Sequence, residues 1–161
     1  MMDLFFRTIT WGGSLMVLLP LALLISLLFY ARGRIGDAAL LLGGLLGASL
    51  FVHILKRLFA RPRPEVENLL VAMPPDFSFP SAHTGQAVAF SIACALILSR
   101  QNELTGALVI WGMLLAFAVL VGVSRVYLQV HYLSDVLVGA LLGGCWVLLL
   151  SRLLGLWLPR S

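Results

Sequence analysis

Apolar residues run almost unbroken along this chain, and the breaks are few and abrupt. A first stretch, Trp11 to Ala31, carries no charge, and a second, Ala38 to Leu55, is interrupted only by His53. A third follows Pro80–His83 and continues to Ser99, a fourth covers Leu104 to Val123, and a fifth runs from near Tyr132 to near Leu150. These lengths match the ~20 residues that cross a bilayer as a helix. Lipid offers the backbone no hydrogen-bond partners, so each stretch is predicted to be helical. No run alternates apolar and polar positions with period two, which excludes a β-barrel. The expected fold is all-α: an integral membrane bundle of five transmembrane helices, or six, forming one domain over residues 1–161.

One connection is long. Arg57 to Phe79, with Pro80 just beyond, contains Pro62, Pro64, Pro74 and Pro75 and three of the seven acids, so it is expected to be an extramembrane loop. A short interfacial helix is expected in it around Glu65–Ala72. Pro20 is expected to kink the first span. The pairs Gly43–Gly47 and Gly139–Gly143 have small-xxx-small spacing, read here as close packing inside the bundle in preference to a dimer face.

Composition sharpens the picture. The chain is 61% hydrophobic and 11% charged, where a soluble domain would be about 25% charged. That deficit excludes a disordered chain, a coiled coil, a disulfide-rich secreted domain and a nucleic-acid-binding domain. The net charge of +4 is ordinary for a bacterial inner-membrane protein with Arg-rich cytoplasmic loops. Cys94 and Cys145 lie in apolar runs without metal-ligand spacing, and read as small buried hydrophobes. The first apolar run lacks a small-residue cleavage site and reads as a retained span. Trp11 and Trp157 suit interfacial anchoring.

The polar residues are not scattered. With five spans, the ends of the second and fourth share a face with the starts of the third and fifth. There Lys56, the chain's single lysine, and Arg63 follow span two; Ser81 and His83 open span three; Ser124 and Arg125 close span four; His131 and Asp135 open span five. Ionisable groups at membrane depth are costly and mark function by default. Three cations beside a helix N-terminus suit an anion with several oxygens, a phosphate better than a carboxylate. His131 and Asp135, four apart on one helix face, allow the carboxylate to accept Nδ1–H and leave the Nε2 lone pair free as a nucleophile. His83, from another helix, is placed to give a proton to the leaving oxygen. If Lys56, Arg63 and Arg125 serve chemistry, the remaining arginines favour the opposite face as cytoplasmic and the site face as periplasmic or extracellular. His53 lies outside any motif and reads as structural, while Arg61 reads equally as a loop cation or a residue behind the phosphate ligands.

The spacing Lys56, six residues, Arg63-Pro64, then Pro80-Ser81-Ala82-His83, then Ser124-Arg125, five residues, His131, three residues, Asp135 resembles the type 2 phosphatidic acid phosphatase family. That family shares its site with vanadium haloperoxidases and some acid phosphatases. Ala82 stands where the family usually has Gly, and the family's membrane members commonly have six spans. The resemblance implies a phosphohistidine on His131 oriented by Asp135, with His83 as general acid and then base. It implies phosphate ligation by Lys56, Arg63, Arg125, Ser81, the Ala82 amide and Ser124, and no metal or other cofactor. The activity expected is removal of a terminal phosphate from a lipid such as undecaprenyl diphosphate, phosphatidylglycerol phosphate, phosphatidic acid or a lipid A phosphate. A lipid phosphotransferase, and a non-catalytic lipid-phosphate binder or flippase, are the alternatives. The partners expected are the lipid phosphate substrate and the bilayer.

Overall fold

A computed structural model describes residues 1–66 and 69–156; Trp157 lies outside the described residues. The helices are α1 (Met2–Ile9), α2 (Leu15–Ala31), α3 (Ile35–Phe59), α4 (Ala82–Ser99), α5 (Leu104–Tyr127) and α6 (Leu133–Leu153), with a 3₁₀ turn at Thr10–Gly13. Helices α3 to α6 are each long and apolar enough to cross a membrane, and α1 with its turn and α2 form a fifth, bent candidate span. Among the described residues there is no strand.

One local expectation is corrected, and the first span carries a bend that its apolar pattern does not indicate. The first span bends by 49° between Gly13 and Leu15, while Pro20 sits inside continuous helix. The break falls where the chain presses on α4: a Cβ on Gly13 would stand 2.7 Å from the His83 carbonyl oxygen, so only glycine fits. The interfacial helix near Glu65–Ala72 does not form among the described residues there. A helix that short carries little stability of its own; farther along the loop, the carbonyls of Asp76 and Phe77 accept hydrogen bonds from Arg63 and Lys56.

Helix α4 is the centre, packing against α3, α5, α6 and α2. Its buried face is Thr84, Gly85, Gln86, Ala87, Ala89, Phe90, Ser91, Ala93, Ala95 and Ile97, mostly small residues. Small faces let helices approach closely where lipid supplies no hydrophobic drive to associate. A core of Leu40, Leu41, Leu45 and Val147 surrounds Ala89, Ala93 and Ile97, with Leu18 and Ala22 of α2 closing it. The outward residues of α2 and α5, such as Leu24, Leu27, Leu108 and Met113, are exposed and match the apolar solvent.

The glycine pairs pack within the bundle. Trp146 Nε1 of α6 donates to the Gly43 carbonyl at 2.9 Å. Gly139 and Gly143 bring α6 against the α4 backbone: a Cβ on Gly139 would meet the Ser81 carbonyl at 2.5 Å, and one on Gly143 would collide with the Gly85 carbonyl. The Ser81 amide also donates to the Asp135 carbonyl at 2.9 Å. At the far end, buried Asp37 accepts from Arg34 Nε at 2.7 Å and Arg100 Nη1 at 3.0 Å. That pairing ties the α2–α3 turn to the C-terminal end of α4.

Gly143→Ala should destabilise the protein by about 1–3 kcal/mol, because its methyl group forces two backbones apart. Gly112→Ala, with nothing near its Cβ position, should be neutral or slightly stabilising. Thermal unfolding in detergent measures both; equal melting temperatures would refute the close-contact account.

Candidate active site

The long loop, α3, α4, α5 and the segment before α6 converge on a cavity of about 210 Å³. Lys56, Arg63, Asp76, Ala82, His83, Arg125 and His131 line it. Lys56, Arg125 and His131 are buried, at 3%, 4% and 3% exposure, so their charges and lone pairs act in a weakly screened space. Asp135 stands behind His131, fully buried.

The helix ends supply this geometry. Lys56 lies in the last turn of α3, and Ala60 turns the chain out through a left-handed conformation, φ 44°. In the following Arg-Pro-Arg-Pro run, Pro62 and Pro64 fix φ, and each disfavours helix in the arginine before it. Arg63 Nη1 donates to the Val130 carbonyl at 2.6 Å and stands 3.3 Å from His131 Nε2. Arg125, in the last turn of α5, donates from Nη1 to Thr10 Oγ1 at 2.6 Å. Its Nε is buried and has no hydrogen-bond partner among the described residues. A buried charged donor left unpaired is expensive.

His131 has two differentiated nitrogens. Nδ1 lies 3.3 Å from Asp135 Oδ2, so Nδ1–H donates to the carboxylate. Nε2 then presents its lone pair to the cavity, where Arg63 Nη1 faces it. Asp135 Oδ2 also accepts from the Tyr132 amide at 3.0 Å and from the Ser78 hydroxyl, while Oδ1 accepts from Arg61 Nη1 at 2.8 Å. The Tyr132 contact caps α6 as well. Burial lowers the basicity of the His131 imidazole; the Asp135 hydrogen bond opposes this, and the cations of Arg125, Arg63 and Lys56 reinforce it, with the pKa near 4 as the net result.

The nine site residues expected from sequence divide in two. Lys56, Arg63, Ala82, His83, Arg125 and His131 line the cavity. Asp135, Ser81 and Ser124 lie behind it. Ser81 Oγ accepts from Thr84 Oγ1 at 3.0 Å, and Ser124 Oγ donates to the Val121 carbonyl at 2.6 Å. His53 also reaches the cavity wall, with Nδ1 bonded to the Ser49 carbonyl at 2.7 Å.

Four further participants carry no motif spacing. Thr10 and Ser78 hold Arg125 and Asp135, and Arg61 takes the second oxygen of Asp135. Asp76 is the fourth: its carboxylate bridges Lys56 Nζ at 3.0 Å and Arg63 Nη2 at 2.5 Å. Burial pushes its pKa up, but hydrogen bonds from Lys56 and Arg63 outweigh that and hold it below the ordinary value. Asp76 thus stands ionised between two of the cations that face the cavity.

A membrane helical bundle with a cation-lined histidine cavity at one end is the arrangement these observations define. The chain belongs to the PAP2 superfamily, whose family model matches residues 37–157. It is 35% identical over 144 residues to phosphatidylglycerophosphatase B of Bacillus subtilis, covering 84% of this chain and 66% of that protein. It is 36% identical over 88 residues to undecaprenyl-diphosphatase BcrC of the same organism, covering 53% of this chain and 41% of the relative. The chain thus spans less than two thirds of the length of either curated relative. Among solved structures, a transmembrane PAP2 type phosphatidylglycerolphosphate phosphatase from Bacillus subtilis superposes with a TM-score of 0.88 at 30% identity, covering 99% of this chain and 80% of that one. Aquifex aeolicus LpxE superposes with a TM-score of 0.73 at 32% identity, covering 94% of this chain and 86% of the other.

Two measurements check the electrostatics. Asp76→Asn should tighten inhibition by inorganic phosphate about three- to tenfold, because Lys56 and Arg63 lose an ionised competitor; unchanged or weaker inhibition would show that Asp76 does not compete for them. Between pH 4 and 6.5 the unfolded chain binds a proton at His131 that the folded chain does not, so this residue makes stability rise with pH across that window. His131→Gln should flatten the slope of melting temperature against pH there; an unaltered slope would contradict the depressed pKa.

Proposed function

We propose that this protein is an integral membrane phosphatase that hydrolyses the terminal phosphate of a lipid phosphate or diphosphate through a phosphohistidine on His131. The observation that carries the reading is the His131 ring itself. Its Nδ1–H is held by Asp135 while its Nε2 lone pair faces a cavity walled by Lys56, Arg63 and Arg125.

In this reading a phosphate settles among the three cations that line the cavity. The Nε2 lone pair attacks phosphorus, and the bond from phosphorus to the leaving oxygen breaks. His83 gives that oxygen its proton. Asp135 stabilises the cationic ring that results, and the guanidinium and ammonium groups stabilise the charge on the equatorial oxygens. His83 then takes a proton from water as it attacks the phosphohistidine, releasing inorganic phosphate and restoring both histidines.

A second, larger cavity of about 690 Å³ supports the placement of the leaving group. It shares Pro74, His83 and Arg125 with the phosphate cavity and is walled by Arg7, Trp11, Leu69, Leu70 and Val71. The general acid therefore stands between the phosphate and an apolar vestibule with one more cation. This favours substrates that carry a second phosphate beyond the one removed, such as undecaprenyl diphosphate and phosphatidylglycerol phosphate. The names of the two curated relatives point the same way. Arg32, Arg34, Arg100 and Arg152 at the opposite end of the bundle support a periplasmic or extracellular site in a bacterial inner membrane.

The test is phosphate release from undecaprenyl diphosphate, phosphatidylglycerol phosphate, phosphatidic acid and a lipid A phosphate, with rapid acid-free quenching to trap labelled protein. Wild type should release phosphate and carry transient label on His131. His131→Ala should lose about a thousandfold or more in rate. Near-normal turnover by that variant would overturn the nucleophile, and label passing to a second lipid would establish a transferase.

A further inference from the structure

Arg61 lies off the register of the cavity-lining Arg63 and does not line the phosphate cavity. Its guanidinium makes three contacts, all with the start of α6, while its carbonyl accepts from the Ser78 amide at 2.9 Å. Nη1 donates to Asp135 Oδ1 at 2.8 Å and to Ser134 Oγ at 2.8 Å. The guanidinium also stacks over the Tyr132 ring, 4.1 Å from its centroid. A planar cation held by two hydrogen bonds and an aromatic face has a fixed direction, which a loose surface cation does not.

We propose that Arg61 is a positioning residue for the reaction: by occupying Oδ1 of Asp135 it keeps Oδ2 on His131 Nδ1 and supplies the carboxylate with a counter-charge while the imidazole is neutral. The inference rests on the phosphohistidine reading above. In the resting state that reading needs a neutral ring beside an ionised, fully buried Asp135. A buried carboxylate without a cationic partner is costly, and such a group tends to neutralise itself. Here the proton nearest to hand would settle on the His131–Asp135 pair and remove the lone pair. Arg61 is the cation that bonds the carboxylate directly from outside the cavity.

The Arg-Pro-Arg-Pro run explains how one segment serves both sides of the ring. An extended run of polyproline type turns about 120° per residue, so residues two apart project in different directions. Arg63 goes to the Nε2 side of His131, and Arg61 goes behind it to Asp135. The charged groups that set the basicity of His131 are then Lys56 from α3, Arg63 and Asp76 from the loop, His83 from α4, Arg125 from α5 and Asp135 from α6, with Arg61 acting through Asp135.

The experiment uses the full chain in detergent with phosphatidylglycerol phosphate, measuring kcat, KM and the pH profile of kcat/KM. Arg61→Gln should lower kcat tenfold or more and leave KM within about twofold, because phosphate binding is untouched. The acid limb of kcat/KM should move to higher pH, since an Asp135 without its guanidinium supports an imidazolium more strongly. Arg61→Lys should recover most of the lost rate, and Arg57→Gln, an exposed cation nearby, should match wild type. If Arg61→Gln does not fold, Tyr132→Leu removes the stacking ring and should shift kcat and the acid limb in the same direction by a smaller amount.

A rise in KM with unchanged kcat would assign Arg61 to substrate binding and overturn the proposal. A lowered melting temperature with an unmoved acid limb and no rescue by lysine would assign it to the scaffold, with the same consequence. These outcomes are separable from failure of the parent reading, which would show as turnover in His131→Ala whatever Arg61 does.

Discussion

Helix α4 and helix α6 touch backbone to backbone, and the site follows from that contact. Gly139 and Gly143 leave room for the Ser81 and Gly85 carbonyls, and the Ser81 amide reaches the Asp135 carbonyl. His83 therefore begins one helix within reach of the ring that precedes the other. Lipid does not drive helices together as water does, so an approach this close depends on small residues and on main-chain hydrogen bonds. The small face of α4 thus sets the geometry of the cavity as well as the packing.

Charge is the second constraint. Lys56, Arg63 and Arg125 share one cavity, and they add to the effect of burial in depressing the basicity of His131. Asp76 offsets two of them in the ligand-free state, and Asp135 is compensated separately through Arg61. The two carboxylates have different surroundings and different tasks: one is half exposed on a loop and bonds cations that face the cavity, the other is sealed behind the imidazole. The proposed phosphate would take over the first pairing and leave the second intact.

Much of this was legible in the sequence. The apolar runs located the spans because length and hydropathy are all that a bilayer demands, and the motif spacings located the cavity because helix ends are rigid. What remained hidden lay in the irregular segments. Asp76 and Ser78 reach the site through a proline-rich loop whose path no periodicity encodes. Thr10 reaches Arg125 from a turn that the continuous apolar run from Trp11 disguised. Arg61 was ambiguous because two Arg-Pro pairs stand side by side, and only three-dimensional direction separates them. Ser81 and Ser124 occupy motif positions yet bond Thr84 and the Val121 carbonyl, an internal use that spacing alone does not reveal.

The Asp37 pairing with Arg34 and Arg100 gives the bundle a fixed end. It clasps the turn before α3 to the tail of α4, at the end of the bundle away from the cavity. The mouth is held differently, by a loop whose Asp76 carboxylate bridges two of the cations that line the cavity. The two ends of the bundle are thereby held by different means, as the spring and the jaws of a clothes-peg are.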